Sequence, residues 1–231
     1  MVEIKRKYVV PGDFIAEGSF NPENSVTQIE NKFYSTKVGM AELINSTVRV
    51  IPLTGLYNPR LDDIVIGKVI KTSAFAWEFD IRSYFSGILP ASNVFGRDFS
   101  AERQDLSKKF GLGDNAICRI GNYDRTRDPL LSINDRGLGK IHKGTILEIS
   151  PTKIPRVIGK KGSMINLLQE KTDCRITVGQ NGLILAVGEK EGIERIRKSL
   201  NLIEKKAHLA DLQNQVQDLL MWKNDRITKW K

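Results

Sequence analysis

The segment VIGKKGSMI, at residues 157–165, constrains this chain more than any other feature. Gly159 and Gly162 enclose two lysines, and an apolar helical pattern begins directly after Ser163. Because glycine lacks a Cβ atom, the main chain of such a loop can approach a ligand closely. The helix that follows directs free N–H groups and its positive dipole end toward the same place. The pattern predicts a loop, at residues 159–162, that binds the phosphates of a nucleic-acid backbone.

This glycine loop predicts contacts beyond its own backbone. Its lysines add Coulomb attraction without selecting a base, and an apolar platform around Ile176 is expected to accept unstacked bases. We expect Gly159→Asp to weaken RNA binding with little change in thermal stability. The alternative is a glycine-rich helix start that binds nothing. The candidate RNA-binding residues here are Arg156, Gly159, Lys160, Lys161, Gly162 and Ser163.

Neither of two related glycine patterns predicts a second phosphate-binding loop. A nucleotide-hydrolase phosphate loop requires Gly-Lys-Ser/Thr after its four central residues, whereas Ser163 directly follows Gly162 here. Residues 179–182 repeat the glycine spacing, but they lie between two apolar runs and contain the pair Asn181-Gly182. This pair is a strong hairpin signal, so the second GxxG is predicted to be a turn.

The positive charge is concentrated around the glycine loop. The chain has 231 residues and a net charge of +9. Residues 140–203 hold 12 Lys/Arg against 6 Asp/Glu, whereas residues 1–139 hold 18 against 17. This distribution is typical of a surface that follows a phosphate backbone. The alternative is a small module whose solvated face is basic.

Hydrophobic periodicity divides the chain into modules. Residues 1–59 read as a β-rich module with a turn at residues 11–13, and residues 60–139 read as five strands of an OB-type barrel. Residues 140–205 alternate strand and helix, which predicts an α+β module. Residues 206–231 predict a helical tail that packs on its own protein or, alternatively, docks on a partner.

The barrel module carries aromatic residues among basic ones, a composition suited to stacking single-stranded bases. The alternative is that these aromatics fill the barrel core. The further candidate RNA-binding residues are Lys71, Phe75, Trp77, Arg82, Arg119, Arg125 and Arg127.

The sequence contains few residue patterns that are typical of catalytic or metal-binding sites. Cys118 and Cys174 lie in separate apolar runs and are predicted to be buried, reduced thiols, while His142 and His208 are too scattered to complete a zinc site. No nucleophile motif accompanies the histidines. We therefore predict a protein without enzymatic activity, metal or cofactor. The chain has no signal-like or membrane-spanning apolar stretch, which predicts a cytoplasmic protein.

These motifs resemble a known family. Residues 157–165 resemble the loop of a KH domain, and residues 67–69, 75–77 and 87–90 resemble an S-one RNA-binding domain, with Ala76 where that domain commonly has glycine. The opening Val10-Pro11-Gly12-Asp13 resembles the N-terminal module of exosome cap subunits. The order of the three modules is similar to that of the archaeal exosome cap subunit that carries a KH domain.

The resemblance implies a fold, a function and partners. It implies a multi-domain chain with a β-rich N-terminal module, an OB-fold barrel of the S-one type, an α+β KH domain and a C-terminal helix. It implies a non-catalytic cap that captures single-stranded RNA for 3'-to-5' degradation, with three copies on a hexameric ring of RNase PH-like subunits. Two alternatives stay open, namely a nuclease related to polynucleotide phosphorylase and a translation- or ribosome-associated RNA binder without a nuclease partner.

Overall fold

The computed structural model describes residues 5–23, 25–44, 46–96, 99–100, 106–124, 126–207 and 211–221, with side chains from residue 7 onward. The chain separates into two compact units, Met1–Gly55 and Leu56–Lys231. Among the helices of the described part, none is long and apolar enough to span a bilayer.

The first unit is built from two small sheets, as the β-rich pattern predicts. One has the strand order β1-β6-β7-β3 and the other β2-β5-β4. The predicted turn at residues 11–13 is confirmed, since the Asp13 N–H donates to the Val10 carbonyl at 3.0 Å. The strands are β1 (Lys5–Val9), β2 (Phe14–Glu17), β3 (Asn21–Pro22), β4 (Val26–Ile29), β5 (Lys32–Ser35), β6 (Gly39–Ile44) and β7 (Thr47–Pro52).

The second unit begins with a closed barrel. Its elements are β8 (Ile64–Thr72), β9 (Ala76–Asp80), β10 (Gly87–Pro90), α1 (Ser92–Phe95), a 3-10 turn (Leu106–Lys108), β11 (Asn115–Asn122), β12 (Leu130–Ser132) and a short β13 (Gly139–Lys140). The order β12-β10-β9-β8-β11 is closed by the pairing of β11 with β12. Five strands with this closure confirm the OB-type barrel.

The glycine inside β8 has a packing role in this barrel. A Cβ atom at Gly67 would lie 3.2 Å from the Phe79 side chain. The missing side chain therefore leaves room for an aromatic ring that is fully buried in the core.

The α+β module follows the barrel directly. Its elements are β14 (Thr145–Glu148), a 3-10 turn (Pro151–Lys153), α2 (Ile154–Ile158), α3 (Ser163–Thr172), β15 (Arg175–Val178), β16 (Leu183–Val187) and α4 (Lys190–Lys206). The strands form an antiparallel sheet in the order β14-β16-β15. The helices pack on it through a shared apolar core that includes Val157, Leu168 and Ile196.

The short helix α2 has no clear signal in the sequence. Pro155 lies in its first turn, where a proline is tolerated because the first N–H groups of a helix have no intrahelical partner. In the sequence this proline suggests only that the preceding strand has ended. In the structure it lies in the first turn of a helix.

The tail helix α5 (Leu212–Met221) packs on its own protein, which confirms the first of its two predicted placements. Leu212, Val216 and Leu220 are buried in the same core as α3 and α4. Leu209, Trp222, Ile227 and Trp230, apolar residues of the predicted helical tail, lie outside the described residues.

The second GxxG segment is a hairpin turn, as predicted, and it also joins the two modules of the second unit. The N–H of Gly182 donates to the Gly179 carbonyl at 3.2 Å. The Asn181 side chain donates to the carbonyls of Ile66 (2.7 Å) and Ile81 (3.0 Å), and its Oδ1 accepts from the Ile66 N–H at 3.3 Å. The register of β8 with β9 starts only at Lys68, so the turn satisfies the backbone of β8 beyond the end of that ladder.

Both cysteines are buried free thiols, as predicted. Burial raises the pKa of Cys118 to about 12, so this thiol stays protonated and unreactive at neutral pH.

Candidate nucleic-acid interface

The glycine loop connects α2 to α3 with a backbone that only a few residue types adopt easily. Gly159 has φ +75°, Lys161 has φ +54° and Gly162 has φ +82°. The Gly159 N–H donates to the Pro155 carbonyl at 3.0 Å and closes α2. The chain then reverses within three residues and enters α3 at Ser163.

The two glycines serve different purposes. A Cβ atom at Gly159 would lie 2.7 Å from the backbone nitrogen and 2.8 Å from the Cβ atom of Met164, so this position has no room for a side chain. At Gly162 the nearest atom would be 3.8 Å away. Gly159 thus allows α2 and α3 to meet closely, whereas Gly162 leaves the backbone open beside the start of α3.

The expected effect of Gly159→Asp on stability is wrong for this reason. Both the positive φ and the contact with Met164 make any side chain at Gly159 costly to the fold. A loss of RNA binding in this variant would not distinguish the loop contact from misfolding.

The loop presents its charges to solvent. Arg156, Lys160 and Lys161 are exposed, while Ser163 is half-buried. Residues 149–169 include four basic residues and no acidic residue. The cap position of α3 is a glycine, so no side chain satisfies the N–H groups of its first turn. An anion beside this turn would meet the positive end of the helix dipole and cationic side chains together.

The tail helix reaches the start of α3, a contact for which the sequence contains no signal. The Ser163 hydroxyl donates to Oε1 of Gln213 at 3.3 Å. The polar face of α5 therefore lies beside the glycine loop.

The prediction of an apolar platform for bases at Ile176 is wrong. Ile176 is 7% exposed and belongs to the core shared by the sheet and the helices, so its side chain has no free surface for a base. Ile158 and Ile165, which flank the loop on either side, are only partly buried. They are better placed to contact a ligand of the loop.

The aromatic candidates of the barrel separate into two groups. Trp77 is fully buried, and its indole N–H donates to the Phe110 carbonyl at 3.1 Å. The prediction that Trp77 stacks on RNA is wrong, because this ring forms the barrel core. Phe75 lies just before β9 and is 68% exposed, with its ring edge-on to Phe99 at 6.5 Å. Phe75 remains a candidate for base stacking.

Replacing Phe75 with alanine is expected to weaken binding of single-stranded RNA about tenfold, because one base–aromatic stack contributes roughly 1–3 kcal/mol. The free energy of unfolding should change by less than about 0.5 kcal/mol, since the ring is mostly exposed. Leu112→Ala removes a side chain that is 72% exposed and is the matched control. Fluorescence anisotropy with labelled RNA checks the effect, and equal affinities of the two variants would exclude Phe75 from the interface.

Two predicted arginines are occupied by carboxylates. Nη1 of Arg82 lies 2.8 Å from Oε2 of Glu148, a residue of the α+β module. Nε of Arg119 lies 2.8 Å from Oδ2 of Asp135, and its Nη1 lies 3.9 Å from Oδ1 of Asp62. An RNA phosphate would have to compete with these carboxylates, so both arginines are weaker candidates for RNA contacts, although each remains partly exposed.

The remaining barrel candidates are Lys71, Arg125 and Arg127. Lys71 and Arg127 are exposed, whereas Arg125 lies outside the described residues. Lys71, Phe75 and Arg127 are therefore the stronger candidates among the described residues of the barrel, and the glycine loop is the most complete site.

Comparison with known proteins agrees with this arrangement. The family model of the exosome RNA-binding protein RRP4 N-terminal domain matches residues 6–54, and the KH domain model matches residues 144–201. The exosome complex component Rrp4 of Nitrosopumilus maritimus is 50% identical over 217 residues, which cover 94% of this chain and 96% of that protein. This chain belongs to the Rrp4 family of exosome complex components.

Two further proteins match this chain. The Rrp4 component of Sulfurisphaera tokodaii is 40% identical and the match covers 97% of this chain and 94% of that protein. The crystal structure of a candidate exosome complex RNA-binding protein matches with a TM-score of 0.68 and 33% identity, over 72% of this chain and 95% of that one. Membership in the Rrp4 family therefore covers all three modules rather than a single domain.

Proposed function

We propose that this chain is a non-catalytic, RNA-binding cap subunit of an exosome of the archaeal type. It captures single-stranded RNA and passes it to a ring of RNase PH-like subunits for 3'-to-5' degradation. The exposed glycine loop at the start of α3, in a chain of the Rrp4 family, carries this proposal. The loop offers backbone donors and cations to a phosphate but no group that would cleave RNA.

The proposal assigns a role to each part of the chain. Residues 1–59 dock on the ring, residues 60–139 and 140–205 bind RNA, and α5, within the tail at residues 206–231, supports the KH module. Three copies on a hexameric ring, in the cytoplasm, follow from the implied family architecture. Arg82 and Asn181 make contacts between the barrel and the KH module. These contacts support the proposal that the two modules bind RNA as one body.

The first unit has a surface suited to protein contact. Tyr8, Met40 and Ile51 are paired across β1, β6 and β7, so their side chains share one face. Tyr8 is 62% and Ile51 42% exposed, although both are large and apolar. The exposed Val10 and Val38 flank this row. A contiguous apolar face of this kind is typical of a protein–protein interface.

Tyr8→Glu combined with Ile51→Lys is expected to weaken association with the RNase PH-like ring more than about tenfold, because it places charges in the centre of an apolar contact without changing the net charge. Native mass spectrometry of the reconstituted complex measures the association. Phe14→Glu with Ile29→Lys, at exposed positions on the other sheet of the same unit, is the matched control.

Three results would contradict different parts of the proposal. Loss of association in the control pair but not in the Tyr8 and Ile51 pair would place the contact on the other sheet. If the wild-type chain does not associate with the ring, the role as a cap is wrong. Degradation of RNA by the purified chain alone, with phosphate or magnesium added, would overturn the non-catalytic assignment.

A further inference from the structure

A basic cleft, separate from the glycine loop and from Phe75, opens on the side of the barrel. It has a volume of about 670 Å³ and lies between α1, the end of the 3-10 turn at Leu106–Lys108, and the stretch that connects the barrel to the KH module. Its polar lining consists of Asn93, Lys108, Lys109, Asn134, Lys140 and His142.

The described residues that line this cleft carry positive charge only. None of the described residues that line it is acidic. Lys140 is engaged by Asp114, whose pKa the side-chain hydrogen bond from Lys140 holds below its usual value. Lys108 and Lys109 are exposed, and no carboxylate of the described ranges forms an ion pair with either of them.

The shape and the donors of the cleft define the ligand. Side-chain amides and ammonium groups donate hydrogen bonds, and the described lining contains one imidazole, His142, but no phenylalanine, tyrosine or tryptophan. Such a site contacts mainly phosphates and sugars, because most of its polar groups are hydrogen-bond donors rather than rings on which bases stack. Its open form admits a continuous chain, whereas a small metabolite is normally enclosed on most sides.

We propose that this cleft is a second backbone-binding subsite, in which Lys108 and Lys109 hold phosphates of the same single-stranded RNA. Its position supports this role, because the residues of the connecting stretch, Asn134 to His142, lead from the barrel into the KH module. The cleft binds the part of the RNA that lies between the RNA contacts on the barrel and those on the KH module. It binds without selecting a base sequence. This inference rests on the proposed RNA-binding function.

The test compares the full chain with Lys108→Glu/Lys109→Glu in anisotropy titrations with labelled single-stranded RNA, at several salt concentrations between about 50 and 200 mM. We expect an affinity loss of about tenfold at the lowest salt, and a salt dependence shallower by about 1.4 in log–log slope, since each lost phosphate contact on a single strand contributes roughly 0.7. Lys108→Gln/Lys109→Gln should show the same shallower slope with a smaller loss.

The matched control is Lys190→Glu/Lys198→Glu, which changes the net charge equally at exposed positions of α4. If both charge-reversal pairs lose the same affinity, the effect is one of overall charge and the cleft proposal is overturned. If wild-type protein binds RNA and the cleft variant binds equally well, the cleft proposal alone fails. If the wild type does not bind RNA, the proposed function fails with it.

A free phosphate ion could bind the same lysines as an RNA phosphate, so inorganic phosphate is tested as an alternative ligand of the cleft. It should not protect Lys108 and Lys109 from amine acetylation at concentrations where RNA does. Equal protection by phosphate would make the cleft a site for small anions and overturn the assignment to RNA. Each variant is also unfolded thermally. A melting temperature equal to that of the wild type shows that the loss of RNA affinity is not caused by misfolding.

Discussion

Replacing Lys160 and Lys161 together with aspartate is expected to weaken binding of single-stranded RNA about 100-fold. Two charge-assisted hydrogen bonds to phosphate contribute roughly 1.5 kcal/mol each, and their loss alone accounts for that factor. The new carboxylates also repel the backbone they face. The loss should be of similar size for different RNA sequences, because the lysines contact phosphates and not base edges.

The fold should tolerate this double substitution. Both lysines are exposed, and Lys161 has the left-handed backbone (φ 54°, ψ 31°) that aspartate adopts more readily than most residues. The substituted positions directly precede α3, where a negative charge interacts favourably with the positive end of the helix dipole. We therefore expect an unfolding free energy equal to that of the wild type or slightly higher.

The measurement is an anisotropy titration with labelled RNA, accompanied by thermal unfolding. Lys190→Asp/Lys198→Asp on α4 is the control, since it imposes the same change in net charge. Equal affinities of the loop variant and the wild type would mean that the glycine loop does not contact RNA. Equal losses in the loop variant and the control would indicate long-range attraction rather than a site.

Asn181→Ala is expected to lower the free energy of unfolding of the second unit by about 3 to 5 kcal/mol. The substitution leaves the carbonyls of Ile66 and Ile81 and the N–H of Ile66 without partners in a buried place. Each unpaired group costs roughly 1–3 kcal/mol, and the side chain of Asn181 is only 1% exposed, so water does not readily replace it.

The neighbouring residue provides the control for this prediction. The backbone N–H of Gln180 donates to the Ile64 carbonyl at 2.7 Å. Gln180→Ala keeps that bond and should change stability by less than about 0.5 kcal/mol. Urea unfolding followed by tryptophan fluorescence measures both variants. A loss below about 1 kcal/mol for Asn181→Ala would show that the turn does not hold the two modules together.

The sequence predicted elements well where a local pattern is repeated along the element. The helix α4 carries apolar residues at helical spacing, and the Asn181-Gly182 pair marks the turn between β15 and β16. The glycine loop was predicted correctly as a loop before α3, since glycines, lysines and a helical pattern adjoin one another. Such signals depend on neighbouring residues alone.

The aromatic residues at the start of β9 differ in burial, and the local pattern does not determine this difference. Phe75, Trp77 and Phe79 alternate along the chain, so a strand through all three would place them on one face. Because β9 begins at Ala76, only Trp77 and Phe79 point into the barrel, and Phe75 lies outside. One residue at the start of the strand decided which ring is free to contact RNA.

The sequence by itself determined the order of the modules, the hairpin and the glycine loop at residues 159–162, because each is encoded in residues that adjoin one another. Only the tertiary structure decided that Arg82 and Arg119 are held by carboxylates, that Asn181 completes β8, and that Lys108 and His142 line one cleft. Contacts between distant residues depend on how strands close and modules pack, and no local pattern records them.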